Sequence, residues 1–329
     1  MLTELIVILI GVAAILILSE LIVCHAIKVA SYTGLSGTFI GMTILSIGTS
    51  IPEIMSHIVG SITILRQPET MVPISGLLIG TNIGSDIFQQ NFILPIVGLI
   101  GTILVERRHL HDVMGGLLGA AFLALVVCMG GVVSRGEGAL LFFTYVAYLL
   151  YLHKRDTQWE GRKSEEIVPF CRDAYSAVLI VIASFAVMAV VTDQVVRSST
   201  RLVDMLPISA SFFGVIFLGI ATSLPELSTA LLSIRKGKKD MSAGIMLGSN
   251  VTNPLLGLGI GGMISTYTVP QVIILYDLPV NIATAIMLYI FLLRKEDLNR
   301  GEAATLLTCY FSYVLFRWFL FPLDILPIG

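Results

Sequence analysis

Apolar stretches of about 18 or more residues recur from one end of this chain to the other, each long enough to cross a bilayer as a helix. Nothing else in the sequence limits the fold as strongly. Hydrocarbon offers no hydrogen-bond partners, so it admits only helices or closed barrels. Hydrophobic types make up 56% of the 329 residues and charged types 13%, where a soluble domain carries about 25% charged residues. The alternating strands of a membrane barrel are not visible. The expected fold is an all-α polytopic membrane protein. Ten intervals are candidate transmembrane helices: 3–29, 36–65, 71–100, 112–133, 137–153, 174–197, 208–234, 241–265, 271–293 and 302–322. Several exceed the minimum length, which allows tilt. The N-terminus, MLTELIVILIG, has no basic region ahead of its apolar run and reads as a retained first helix, not a cleaved signal.

Charge orients the bundle. With the N-terminus outside, Arg66, Arg135, Arg197, Arg201 and Arg317 fall on the outer side, and the other fifteen of the twenty Lys and Arg fall inside. That asymmetry obeys the positive-inside rule. Both termini are then outside, in the plasma or inner membrane. The longest polar link, HKRDTQWEGRKSEEIVPFCR at 153–172, is a cytoplasmic loop. The ERRHLHD and RKGKKD runs are solvated inner loops that meet anionic headgroups. Cys24, Cys128, Cys171 and Cys309 form no CxxC pair, so neither a zinc site nor a disulfide framework is indicated.

The chain repeats itself. GMTILSIGTSIPE at 41–53 matches GVIFLGIATSLPE at 214–226, an offset of 173, and the same offset relates SELIV at 19–23 to TDQVV at 192–196. GLLIGTNIGS at 76–85 matches GIMLGSNVTN at 244–253 with an offset of 168. The expected organisation is therefore two five-helix repeats, 1–153 and 174–329, joined by a loop at 154–173. An odd number of helices per repeat inverts one against the other. Inverted repeats of this kind place a binding site at the midplane, between the halves.

The repeated residues suit a cation. Pro52 and Pro225 lack an N–H, which frees the carbonyls of Gly48 and Ala221 from their helices. Thr49 with Glu53, and Thr222 with Glu226, are four apart and share a helix face. Thr81 with Ser85, and Ser249 with Asn253, are spaced in the same way, and Asn82 and Asn250 lie one residue along. The set offers only oxygens in equivalent positions, and no His or Cys. Hard cations such as Ca²⁺ take six to eight oxygens, and two carboxylates neutralise one Ca²⁺ in low dielectric. Glycines in these segments permit close helix approach.

These paired TSxPE motifs, each followed by a G-x-x-x-G-[ST]-N segment in a ten-helix inverted repeat, resemble the sodium/calcium exchanger family of the calcium/cation antiporters. The resemblance covers essentially the whole chain. It implies alternating access, with Ca²⁺ and Na⁺ as transported partners and no cofactor. It also implies ion ligands at Thr49, Ser50, Glu53, Thr81, Ser85, Thr222, Ser223, Glu226, Ser249 and Asn253. The second motif departs from the family in carrying Ala221 where glycine is usual. The family commonly has Asp or Asn at the positions of Ser85 and Asn253, often with an Asp in the second half; here neither is Asp. Asp86 follows Ser85 but points about 100° away on a helical wheel. A register using Ser85 and Gln89 breaks the match to the second half. H⁺ is the alternative coupling ion, although the GNxxE-type motif of the proton-coupled branch is absent.

Other classes fit less well. An intramembrane aspartyl protease needs a GxGD-type segment, and YDLP at 276–279 is not one. A prenyltransferase needs an Asp-rich Mg²⁺ motif. No enzyme, nucleic-acid partner or obligate protein partner is expected beyond membrane lipid; a cation channel is the different-class alternative. Glu20 and Asp193 read as structural or gating acids, each followed by a base (Lys28, Arg197). His57, one turn beyond Glu53 and matched by Ala230, reads as a polar helix contact, with proton coupling as the alternative.

Overall fold

The computed structural model describes residues 1–31, 43, 45–100, 107–159, 172–235, 239–295 and 298–324. Almost all of this is helix: α1 (Leu2–Ser31), α2 (Ser46–Thr49), α3 (Ile51–Arg66), α4 (Met71–Phe88), α5 (Leu94–Ile100), α6 (Arg107–Cys128), α7 (Arg135–Trp159), α8 (Arg172–Val203), α9 (Ala210–Phe213), α10 (Gly219–Thr222), α11 (Leu224–Arg235), α12 (Lys239–Thr252), α13 (Leu258–Ile264), α14 (Leu278–Lys295) and α15 (Arg300–Leu320). Among the described residues, six helical stretches are long and apolar enough to cross a membrane: Pro68–Ile100, Leu110–Cys128, Ser176–Val203, Ala210–Leu231, Ile273–Arg294 and Arg300–Leu320.

The spans differ in where they sit. Within Pro68–Ile100, 72% of the most apolar window is buried inside the protein, against 22% for Ser176–Val203. The first is central and the second peripheral. α8 has 32 residues, or about 48 Å of helix, longer than the roughly 30 Å hydrocarbon core, so it must tilt or project. It packs along α1, and those two helices are the opening elements of the two sequence repeats.

The centre is built crosswise. α4 packs against α9, the Gly214–Leu218 turn and α10, while α2 and α3 pack against α12 and α13. Each repeat's broken helix thus lies on the other repeat's second motif. Glycine makes one of these seams possible. A Cβ on Gly84 would collide with the backbone of Val215, and one on Gly214 with the backbone of Leu77 and Thr81. Helices that approach this closely gain dispersion contacts where no hydrophobic drive operates.

π-helical turns interrupt the central helices at Gln89–Ile93, Gly214–Leu218 and Asn253–Gly257. Such turns rotate the face a helix presents downstream and often mark functional segments. A two-residue antiparallel pairing joins β1 (Val132–Val133) to β2 (Tyr267–Thr268). Gly131, at φ +73, makes the turn into β1, a conformation costly for any residue with a Cβ. This pairing holds Tyr267, which is fully buried.

Candidate functional site

The two TSxPE motifs break their helices in the same way. α2 ends at Thr49, Ser50 leaves helical geometry at φ −79 and ψ 5, and α3 begins with Pro52 in its first turn. α10 ends at Thr222, Ser223 sits at φ −83 and ψ 0, and α11 begins with Pro225 at the equivalent place. The cause is the one expected: proline cannot donate back into the preceding turn. The second break differs in detail from the sequence expectation, because the Ser223 N–H turns to the Ala221 carbonyl, so that carbonyl is not left bare.

Every one of the ten candidate ligands is buried. Thr222 is the most exposed at 7%, and Ser50, Ser85, Ser223, Glu226, Ser249 and Asn253 are all at 0%. Glu53, Ser223 and, through Gln89, Ser249 converge on Ser85. Its hydroxyl donates to Glu53 Oε1 at 3.1 Å and lies 2.8 Å from the Ser223 hydroxyl. Gln89 Nε2 donates to Ser85 Oγ at 2.9 Å, and the Ser249 hydroxyl donates to Gln89 Oε1. Ser223 also lies 2.7 Å from the Gly219 carbonyl. The threonines cross between repeats: Thr222 lies beside the Glu53 carboxylate and Thr49 beside that of Glu226. Thr81 stands apart. Its hydroxyl donates to the Leu77 carbonyl at 2.7 Å, and it lines a small crevice with Thr222, Ser56 and apolar residues of α1 and α8.

Among the described residues, five buried oxygens in this cluster have no protein hydrogen-bond partner: Ser50 Oγ, Glu53 Oε2, both carboxylate oxygens of Glu226, and Asn253 Oδ1. All are acceptors as placed, apart from the hydroxyl, which can also donate. A buried charge without a partner costs several kcal/mol or more, and a hard cation in contact with these oxygens would offset that cost. Among the described residues no three His, Cys, Asp or Glu side chains gather as a metal cluster. The site fits a cation held by two carboxylates plus neutral oxygens, and does not fit a zinc-type centre.

Three residues outside the predicted set belong to the same network. Gln89 bridges Ser85 and Ser249. Asp86, set aside on the helical wheel, is 1% exposed and accepts from Asn253 Nδ2 at 2.8 Å. Asn82 Nδ2 donates to the Asn253 carbonyl at 2.7 Å and lies 3.2 Å from His57 Nε2. The carbonyl fixes which end of the Asn82 amide faces inward, so Nε2 of His57 must accept. The proton then sits on Nδ1, 3.2 Å from the Tyr267 hydroxyl. His57 is thus a neutral imidazole tying α3 to β2. The apolar run around Asp86 could have flagged it from sequence: an acid in an apolar span is costly wherever it points.

The remaining singled-out acids lie away from the cluster. Asp193 pairs with Arg197 at 2.9 Å, both part-exposed. Glu20 is on an exposed face of α1, and the side chain of Lys28 lies outside the described residues. Cys24 and Cys309 are free and Cys128 is buried; Cys171 also lies outside the described residues.

Comparison with known proteins bears on this arrangement. A family model described as sodium/calcium exchanger protein matches residues 3–154 and 176–319. Inner membrane protein YrbG of Escherichia coli (strain K12) is 28% identical over 298 residues, covering 88% of this chain and 89% of its own. Sodium/calcium exchanger MaX1 of Methanosarcina acetivorans is 25% identical over 344 residues, covering 92% of this chain and 95% of its own. A solved structure of the sodium-calcium exchanger NCX_Mj, soaked with Na⁺ and Sr²⁺, shares the fold with a TM-score of 0.67 at 22% identity, over 95% of this chain and 97% of that one.

Proposed function

As the chain belongs to the sodium/calcium exchanger family, we propose that it is a secondary antiporter that exchanges Ca²⁺ for Na⁺ across the membrane by alternating access. The observation that carries this reading is the convergence of partnerless oxygens from Glu53 and Glu226, each one turn beyond a repeat-related helix break. Ca²⁺ and Na⁺ are the substrates, and membrane lipid is the surroundings. Thr49, Ser50, Glu53, Ser85, Thr222, Ser223, Glu226, Ser249 and Asn253 line the central site, and Thr81 is a ligand on the crevice it shares with Thr222.

Ten helices cross the membrane as two inverted repeats, 1–153 and 174–329, with the 154–173 loop cytoplasmic and both termini outside. The matching of one family model to two stretches, 3–154 and 176–319, supports the duplication. The crosswise packing of α4 on α9 and α10, and of α2 and α3 on α12 and α13, supports a site shared between the halves. Mechanically, Ca²⁺ neutralises the two carboxylates, so the occupied cage can move through low dielectric where the empty, doubly charged cage cannot. That difference is what obliges exchange.

The test is Ca²⁺ uptake into proteoliposomes under an outward Na⁺ gradient or an outward H⁺ gradient, with Glu53→Gln as the blank. Uphill uptake driven by Na⁺ is the expected result. Uptake driven by H⁺ alone would replace the coupling ion and keep the cage. Downhill flux that no gradient can drive uphill would mean a channel. The accepting Nε2 of His57 favours Na⁺, because that nitrogen is already committed to Asn82.

A further inference from the structure

Asp86 is not one of the repeat-matched oxygens of the cage, yet it is buried beside them. Its neighbour in that position is the side chain of Asn253, whose Nδ2 donates to Asp86 Oδ1 at 2.8 Å. A carboxylate only accepts, so Asp86 can hold nothing but the NH₂ end of that amide. The second hydrogen of Nδ2 is directed toward Ser85 Oγ, 3.5 Å away. An amide is planar and its two ends diverge. With the nitrogen held by Asp86, Oδ1 of Asn253 must turn away from it, and Oδ1 is buried with no hydrogen-bond partner among the described residues. The backbone of the same residue is held independently, its carbonyl accepting from Asn82 Nδ2 at 2.7 Å. Only the rotation of the amide is left for Asp86 to decide.

We propose that Asp86 is a positioning residue of the ion site: by accepting from Asn253 Nδ2, it selects the amide orientation that presents Oδ1 as a cation ligand. A free asparagine can offer a cation either an oxygen or a repelling NH₂ group. Asp86 removes the second choice before the ion arrives. The sequence repeat gives no hint of this, because the residue matched to Asp86 in the second repeat is Pro254. The inference rests on the cage reading above and names a residue that reading leaves out.

The experiment measures initial rates of radiolabelled Ca²⁺/Ca²⁺ exchange against Ca²⁺ concentration in proteoliposomes of the full-length protein. The variants are Asp86→Asn, Asn253→Ala, the double variant combining them, the swap Asp86→Asn with Asn253→Asp, and Glu53→Gln. Loss of a hydrogen-bond partner to a metal ligand typically costs about 10- to 100-fold in metal affinity. Asp86→Asn is therefore expected to raise the apparent KM for Ca²⁺ by about tenfold or more, with the maximal rate little changed. Asn253→Ala should raise it similarly, and the double variant no further, since both remove one oriented oxygen. The swap should return KM to within about threefold of the original, because a carboxylate at 253 presents an oxygen whichever way it turns.

An unchanged KM in Asp86→Asn overturns the proposal, as do fully additive losses in the double variant. Should Asp86→Asn alone fail to fold, the swap still decides, since it keeps a donor and an acceptor of the same size: a folded swap with KM raised about tenfold or more overturns the proposal. Ca²⁺ exchange persisting in Glu53→Gln would instead bring down the cage itself.

Discussion

The two sequence repeats make the same backbone break twice but surround it with different hydrogen bonding. Around the first acid, Glu53 Oε1 accepts from Ser85, Asn82 is held by the Asn253 carbonyl and His57, and Asp86 holds Asn253. Around the second, neither oxygen of Glu226 has a hydrogen-bond partner among the described residues, and neither do the two polar atoms of Asn250, the match of Asn82. His57 is matched by Ala230, and Asp86 by Pro254. The serines reverse the pattern: Ser223 is engaged with Ser85 and Gly219, whereas Ser50 is free. The residues that match between the repeats set where oxygens can be delivered. The residues that differ set which of them are spent on the protein. The free acceptors come from both repeats, so on the proposed reading neither half would hold a site alone.

The largest expected effect breaks that shared site. Glu53→Gln and Glu226→Gln should each abolish Ca²⁺ uptake in proteoliposomes while the protein stays folded. Robust uptake in either would show that one repeat suffices. The two should differ in thermal melts without Ca²⁺ or Na⁺. Removing the carboxylate of Glu226, neither oxygen of which has a geometric hydrogen bond, should raise the melting temperature more than removing that of Glu53, one oxygen of which accepts from Ser85. Equal shifts would erase the asymmetry.

Next comes the seam that brings the halves together. Gly214→Val puts a side chain into the backbone of Leu77 and Thr81. It should destabilise by at least the roughly 1–3 kcal/mol of ordinary overpacking, read as lost monodispersity or a lower melting temperature. A variant as stable as the parent would mean that the seam opens freely.

Smaller effects sharpen the comparison. His57→Ala makes the first repeat resemble the second, which already has Ala230. It leaves Asn82 its bond to the Asn253 carbonyl, so uptake should fall less than about tenfold, with a stability loss of about 1–3 kcal/mol for the broken buried contacts. Abolished uptake with an intact fold would instead give His57 a part in coupling. Smallest of all, Arg197→Ala removes a part-exposed pair with Asp193 and should change stability by less than about 1 kcal/mol, as read by thermal melt. A larger loss would make that pair a structural lock on α8.

Much of this was legible without coordinates. Runs of apolar residues announce membrane helices because the bilayer sorts segments by composition and length alone. The TSxPE breaks could be located because proline acts on its own preceding turn. The oxygen-only character of the repeated positions pointed to a hard cation for the same local reason.

What sequence could not supply is which polar group each side chain spends itself on. Asn253 meets Asp86, Ser249 meets Gln89, and Asn82 meets the Asn253 carbonyl, all pairings between segments far apart in the chain. A helical wheel dismissed Asp86 for lying about 100° from Ser85, which assumes a helix with one face toward the protein. α4 has no such face: from Ile74 to Phe88 every residue is buried, so a side chain turned away from one neighbour meets another. Local chemistry is written in the order of residues, and the sequence by itself determined membrane helices, duplicated breaks and the kind of ligand. The partner of each buried proton and lone pair depends on what lies across the helix interface, and that only the tertiary structure decided.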